Sequence, residues 1–145
     1  MRIDYLMRLV FGTLMFGALI AAFCVAAAQP QDLSSKIADR ADLANMNLTH
    51  FNLSGMHLNQ SDLSGSNLGG SNLSGAFMRS AWLSHSLLQG TTMVKADLTG
   101  AVLNDADLSG SDLSRAILAS SQMSNANLNN AILEKTDLTE ADLSD

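Results

Sequence analysis

Apolar and polar positions along the chain repeat with a period of five residues. From Leu43 to Leu143 every fifth residue is apolar, and 18 of these 21 positions are Leu while the others are Met78, Met93 and Met123. Two residues before each of them most units carry Ala or Ser, and the residue between is usually Asp or Asn. The last two places favour Ser, Thr, Asn and Gly. This pattern predicts one repeated local structure over most of the chain.

A five-residue period excludes helix as the main element, because a helix of 3.6 residues per turn would scatter these leucines around its circumference. In an extended segment the small residue and the Leu point to one side, and the Asp or Asn points to the other. Gly and Asn then suit a bend. The chain is therefore predicted to form short extended faces joined by corners, wound into a solenoid with Leu stacked on Leu.

Runs such as Ala96–Gly100 (ADLTG) and Ala141–Ser144 (ADLS) resemble the repeats of the pentapeptide-repeat family. The resemblance covers residues 41–145. It implies an all-β fold, a right-handed quadrilateral β-helix with four repeats to a coil, the central Leu inward and the small residue tucked inside. On that geometry, 21 repeats make about five coils.

Both ends of such a solenoid need covering. Residues 29–40 are predicted to be an N-terminal capping segment, with a short helix from Asp32 to Arg40. Three large residues take the normally small inward place in the first coil and are expected to plug it: Met46, Phe51 and Met56. No such device is visible at the other end. We expect the last coil to lie open to solvent, to a second copy or to a partner.

The first 28 residues form a separate segment. Arg2 and Arg8 precede an uncharged apolar stretch, residues 9–28, which ends in three alanines. This order predicts a secretory signal peptide at 1–28 and a periplasmic or secreted protein. The alternative is an uncleaved membrane anchor, because about twenty apolar residues span a bilayer core. Cys24 is the sole cysteine, so cleavage would leave neither a disulfide nor a thiol site.

Charge sets limits on partners. The chain has 8 basic and 14 acidic side chains. Removing residues 1–28 leaves 6 basic and 13 acidic ones, a net charge near −7. An acidic body of this kind is not expected to bind nucleic acid or an anionic lipid without specific contacts. We also expect no cofactor, because phosphate-cradling loops and metal-ligand spacings are absent from the sequence.

Phe77, Trp82 and Leu87 occupy three successive outward positions where Asp or Asn is the rule. With twenty residues per coil, Trp82 stacks on Val102. We name these four residues the apolar band and predict that they bind a protein partner, since clustered exposed aromatics mark interfaces. The alternative is decay of the repeat with a locally distorted coil, which the degenerate stretch from Met78 to Val94 favours.

Lys95, Arg115 and Lys135 fall in another column, which we name the basic edge. It is a candidate for an anionic lipid or glycan head group, although Asp97 and Asp137 are expected to neutralise it.

His85 stacks on Asp105 beside Ser84, yet a convex surface without a pocket argues against a hydrolytic triad. The other histidines, His50 and His57, lie in other columns. No catalytic residue and no metal site is predicted.

The sequence thus favours an exported, non-enzymatic solenoid acting as a structural or interaction module in the periplasm or envelope of a bacterium. The alternative comes from the resemblance: some pentapeptide-repeat proteins are acidic, DNA-shaped rods that bind DNA gyrase. The export signal and the interruption of any acidic stripe by the apolar band argue against that role. The partner and the oligomeric state are not predicted.

Overall fold

The computed structural model describes residues 39–145. The expected signal peptide, the alternative anchor and most of the expected capping helix lie outside the described residues. Within residues 39–145 there is no helix, so no described helix is long and apolar enough to cross a membrane. Extended structure is confined to single bridged residues, one in each repeat. Between one bridged residue and the next along the chain lies a two-residue turn.

Every bridge is parallel and joins residues twenty positions apart, as in Asp42 to Asp62 and Asp62 to Trp82. A coil therefore contains four five-residue repeats, as expected. We number the four sides by their outward residues: side 1 holds 42, 62, 82, 102, 122 and 142; side 2 holds 47, 67, 87, 107 and 127; side 3 holds 52, 72, 92, 112 and 132; side 4 holds 57, 77, 97, 117 and 137.

The same hydrogen bonds between coils recur in each repeat that is followed by a further described coil. Leu63 N–H donates to the carbonyl of Trp82 in the next coil at 2.7 Å, and Trp82 N–H donates back to Ser61 at 2.9 Å. The last residue of the repeat adds a third bond, as Gly65 N–H donates to Ser84 at 2.9 Å. Backbone hydrogen bonds thus join adjacent coils on all four sides. They give the array a cooperative stability that a single coil would lack.

Each corner is a tight turn with a left-handed last residue. Ser66 N–H donates to the Leu63 carbonyl across the turn at 3.1 Å, and the residue before Ser66 is Gly65 with φ +65°. A positive φ at the second central position is the mark of a type II turn. All 21 described corners share it, including 14 without glycine. The predicted bend is confirmed at every fifth residue.

The Asp or Asn before each Leu serves the same corner. Its side-chain oxygen accepts a hydrogen bond from the N–H two residues later, as Asp112 does from Ser114 at 2.9 Å. Such Asx turns offer the backbone a local partner and fix the bend. They recur at Asp42, Asn47, Asn52, Asp62, Asn67, Asn72, Asp97, Asp107, Asp112, Asn127, Asp137 and Asp142.

The core is a stack of leucines, with Met78, Met93 and Met123 in the same register, and these side chains are almost wholly buried from Leu43 to Met123. Inward Ala and Ser fill the remaining space, and Ser66 shows how the hydroxyl is satisfied, since it donates to the Leu63 carbonyl at 2.7 Å.

The N-terminal end differs from the expectation at two residues. Asp39 and Arg40 form a turn, and Arg40 has φ +65°, so the capping helix does not extend through them. Arg40 N–H donates to the Asn59 carbonyl at 2.9 Å, which is the inter-coil bond of the other corners. The solenoid geometry is therefore already present at the first described residues, Asp39 and Arg40.

Candidate protein-binding surface

The apolar band crosses three consecutive sides of one coil. Phe77 lies on side 4, Trp82 on side 1 and Leu87 on side 2, and they are 42%, 52% and 41% exposed. Val102 lies directly above Trp82 on side 1 and is half-buried. The structure thus joins Trp82 and Val102 on one face, while Phe77 and Leu87 flank them around the two corners.

The backbone beneath the apolar band is regular. Met78, Leu83, Leu88 and Met93 point inward with at most 1% exposure, and the bridges and turns continue without interruption. The alternative of a locally distorted coil is therefore wrong. The degenerate sequence changes what the surface presents and leaves the fold unaltered.

Three members of the band leave a turn without its usual side-chain acceptor. Among the described residues no side chain accepts from the N–H of Ser84, Gln89 or Asn104, the turn donors that follow Trp82, Leu87 and Val102. An Asp or Asn at 82 or 87 would supply that acceptor, as it does in twelve other repeats. The apolar residues therefore stabilise the turn less than the Asp or Asn that they replace.

At Phe77 the coil before it supplies the side-chain acceptor that the turn would otherwise lack. Asn59 Oδ1 accepts from Arg79 N–H at 2.9 Å, replacing the missing Asx bond. The Phe77 ring also stacks on the His57 ring, with centroids 4.8 Å apart and planes inclined by 28°. Sequence reasoning missed His57 as a neighbour of the band, although its place twenty residues before Phe77 gives the contact directly.

A profile of pentapeptide repeats matches residues 39–75, 81–119 and 106–145, in eight copies. This chain belongs to the pentapeptide-repeat family. Residues 76–80 are left unmatched between the first two segments. They include Phe77, the first residue of the apolar band.

Two solved structures share the fold, and a third is similar in sequence. The protein Rfr23 from the cyanobacterium Cyanothece 51142 aligns with a TM-score of 0.50 at 22% identity, covering 70% of this chain and 90% of that one. QnrB1, a plasmid-mediated fluoroquinolone resistance protein, aligns with a TM-score of 0.51 at 18% identity, covering 71% and 59%. A pentapeptide repeat protein of the Arabidopsis thaliana thylakoid lumen is 30% identical over 64% of this chain and 68% of its own, with a TM-score of 0.43. No curated protein matches the chain at a significant level.

The basic edge stands on the corner between sides 3 and 4 of this pentapeptide-repeat solenoid. Lys95, Arg115 and Lys135 are exposed and occupy left-handed turn positions at φ +60°. The expected neutralisation is wrong in detail: Asp97 Oδ2 pairs instead with Arg79 Nε at 2.6 Å. Within residues 39–145 no ion pair joins the basic edge to a carboxylate.

Asp97 is the most buried carboxylate that the structure describes, with 7% exposure. Burial is the largest single influence and raises its pKa, but hydrogen bonds from Thr99 and the Arg79 guanidinium together outweigh it. The pKa of Asp97 therefore lies below its ordinary value. The hydroxyl or N–H two residues later likewise lowers the pKa of Asp107, Asp112, Asp137 and Asp142.

His85, Asp105 and Ser84 are not arranged for catalysis. His85 Nδ1 lies 3.8 Å from Asp105 Oδ2, too far for a hydrogen bond, and both side chains are exposed. Stacking of the two residues is confirmed, and a triad with Ser84 gains no support. The described residues contain no group of three His, Cys, Asp or Glu side chains able to hold a metal ion.

The last coil, residues 126–145, exposes its core leucines. Leu133 is 36% exposed and Leu143 is 48% exposed, while Leu128 and Leu138 are half-buried. Their N–H groups donate to no backbone carbonyl within the described residues. In residues 39–145 the coil is thus open at this end, as the sequence indicated.

Proposed function

We propose that this chain is an exported, non-enzymatic solenoid that binds a protein partner in the periplasm or envelope of a bacterium, using the apolar band as its contact surface. The observation that carries the proposal is the exposure of Phe77, Trp82 and Leu87 on an undistorted coil. Membership of the pentapeptide-repeat family supports a role in interaction, because the repeats build a surface and enclose no site.

The energetics favour a contact role for the band. Exposed apolar area gains free energy only when it is covered, at about 25 cal/mol per Å². Large aromatic residues at the centre of interfaces supply much of the binding energy. The fold itself gains little from Trp82, which sits outside the core and leaves the Ser84 N–H without a side-chain acceptor. A partner that covers Trp82 and Val102 would account for both features.

Export is supported by the sequence of residues 1–28, with two arginines before an uncharged apolar stretch and three alanines at its end. The single cysteine of the chain, Cys24, lies in that segment, so its removal would leave no disulfide partner in the exported part. Cell fractionation tests this part of the proposal. We expect a shortened protein in the periplasmic or secreted fraction, and full-length protein in the cytosol would contradict it.

Gyrase binding as an acidic DNA mimic is the rival function. A net charge near −7 and the likeness to QnrB1 favour it, although that likeness at 18% identity concerns the fold alone. Against it, the outward column of side 1 carries Trp82, Val102 and Gln122 between its aspartates, so the negative charge is discontinuous. A DNA supercoiling assay with purified gyrase separates the two roles. We expect no effect of this protein, whereas inhibition or protection would favour the rival.

Partner capture tests the apolar band directly. The bait is the exported chain, used as wild type, as Trp82→Asn and as Ile132→Asn. Ile132 is the matched control, because it is also 52% exposed and outward, but lies on side 3, which carries no member of the band. Both substitutions install a residue that the repeat accepts elsewhere, so both variants should fold.

We expect wild type and Ile132→Asn to recover the same envelope protein and Trp82→Asn to lose it. Circular dichroism of each variant checks the fold. Equal recovery with all three baits would reject the band as the interface, while loss with Ile132→Asn as well would move the contact to a surface beyond the band.

A further inference from the structure

The cations of the described residues divide into two groups. Arg40 Nε donates to Gln60 Oε1 at 2.8 Å, and Arg79 Nε donates to Asp97 Oδ2 at 2.6 Å. The other three form the basic edge, and their side chains make no hydrogen bond or ion pair within residues 39–145. Every cation without a bonded side-chain partner in this part of the chain therefore stands on one edge of the solenoid.

The basic edge forms a straight row. Its members are twenty residues apart and so occupy the same corner in three consecutive coils, at steps of about 4.8 Å. Like charges at this spacing repel each other, and no carboxylate of the described part of the chain lies within 4.0 Å to compensate them. The fold gains no stability from the arrangement.

The turn does not call for these residue types either. The same corner carries Gly55 and Gly75 in the preceding coils, with φ +67° and +65°. Residues with a side chain enter the left-handed region at a cost of about 1–2 kcal/mol, and Lys and Arg lack the local hydrogen bond that helps Asn and Asp there. Strain and repulsion thus coincide at three successive places on one edge.

We propose that the basic edge binds the phosphoryl groups of an extended polyanion that lies along the solenoid axis. Ammonium and guanidinium groups are the usual partners of phosphate, Lys as a point charge and Arg as a two-pronged donor. A row of three at a regular step contacts several anionic groups of one linear ligand and releases their counterions. In an acidic protein with net charge near −7, this row is the place within residues 39–145 where such a ligand would be held.

Nearby carboxylates set the limits of the site. Asp97, Asp112 and Asp137 flank the corner, and their Oδ1 atoms accept bonds within their own turns, from Thr99, Ser114 and Thr139. Glu134 precedes Lys135, and its backbone carbonyl accepts from Arg115 N–H at 2.8 Å. Its carboxylate makes no hydrogen bond or ion pair among the described residues, so its charge directly opposes an anion at the end of the row. The ligand is therefore expected to contact the outer tips of the cations and avoid sides 3 and 4.

Titration with inorganic tripolyphosphate at low salt tests the site. The variants are the triple Lys95→Gln, Arg115→Gln, Lys135→Gln protein, the single Glu134→Gln protein, and Arg40→Gln as the matched control on another corner. Gln suits this place because Gln60 already occupies an equivalent turn position with φ +59°. Circular dichroism confirms that each variant folds.

We expect saturable binding to wild type and to Arg40→Gln, about tenfold weaker binding to the triple variant, and tighter binding to Glu134→Gln. Wild-type affinity should also fall steeply as salt is raised. Equal affinity of wild type and the triple variant, or no binding to wild type, would overturn the proposal. The Glu134→Gln arm does not depend on the stability of the triple variant, and an unchanged affinity there would also count against the site.

Vesicles distinguish the two sources of phosphoryl groups. Wild type and the triple variant are sedimented with vesicles of phosphatidylglycerol and phosphatidylcholine. Co-sedimentation of wild type alone would assign the edge to a lipid head-group surface. Binding of tripolyphosphate without co-sedimentation would assign it to a free phosphate polymer.

Discussion

The first and last coils are built from the same repeat and differ in how they are closed. In the first coil, residues 41–60, all four leucines are at most 1% exposed, and Met46 and Phe51 pack against the core from the inward position. In the last coil the inward position carries Ala126, Ala131, Thr136 and Ala141. Two of its four leucines, Leu133 and Leu143, are 36% and 48% exposed. Burial of a leucine here is decided by what lies above and below it, since the local backbone is the same.

The contrast extends to hydrogen bonds. Leu53 in the first coil donates its N–H to the Asn72 carbonyl at 2.7 Å, whereas the N–H of Leu133, on the same side in the last coil, meets no carbonyl within the described residues. The energy of a repeat is therefore shared between neighbouring coils, as expected for a nearly one-dimensional array. Three pairs of variants and one acid titration sharpen this comparison.

The largest difference is expected for the leucines themselves. Leu53→Ala should lower the free energy of unfolding by about 2–5 kcal/mol, because it opens a cavity between two coils. Leu133→Ala, on the same side in the last coil, should cost under about 1 kcal/mol, since the side chain is already partly exposed. Urea unfolding measures both. Equal losses would show that the last coil is covered in solution.

Glycine corners provide the next pair. Gly70 and Gly110 share one corner and have the same φ of +66°, yet a Cβ at Gly70 would lie 2.6 Å from His50 Nδ1 and one at Gly110 would meet nothing within 4 Å. Gly110→Ala should cost about 1 kcal/mol from the left-handed backbone alone. Gly70→Ala should cost more. Adding His50→Gly should remove the excess, and persistence of the excess in thermal unfolding would contradict the contact.

Two inward serines give a smaller effect. Ser61 Oγ accepts from Ala41 N–H at 3.0 Å. Ser121, on the same side toward the other end, has a buried Oγ with no hydrogen-bond partner in residues 39–145. Ser61→Ala should cost about 1 kcal/mol because it leaves that N–H unpaired. Ser121→Ala should be neutral or stabilising. A loss of stability in Ser121→Ala, seen by urea unfolding, would indicate an undetected partner for its hydroxyl.

Low pH is expected to destabilise mainly the C-terminal half of the solenoid. The five aspartates with a lowered pKa lie between Asp97 and Asp142. A lowered pKa in the folded state means that the stabilisation is present above the ordinary value of 3.8 and is lost as pH falls below it. Amide exchange at decreasing pH should therefore lose protection first in the C-terminal half. Uniform loss, with Asp97→Asn behaving as wild type, would contradict this view.

The sequence predicted the architecture closely because the repeat encodes it locally. Period five, the inward Leu and the bend were all readable, and the twenty-residue register followed from the family resemblance. The partners of individual side chains were not predictable, because they depend on geometry across the corners. Asp97 pairs with Arg79, eighteen residues away, instead of with the nearer Lys95.

The apolar band and the basic edge illustrate the same division. Their members were located by counting residues, and the structure places each on the expected side or corner. Whether the coil beneath Trp82 was regular could not be read from the degenerate stretch, because loss of the polar signature does not distinguish distortion from a change of surface. The inward residues, which keep the period, decided it.

The twenty-residue register also governs how such a surface evolves. Removing one five-residue unit between Leu103 and Leu113 would leave an intact stack of leucines, yet it would rotate everything that follows by a quarter turn. Arg115 and Lys135 would then no longer align with Lys95, although no residue of the row had been substituted. Gain or loss of a single five-residue unit can therefore create or remove a surface built from several coils. Every intermediate sequence in such a change still encodes a folded solenoid.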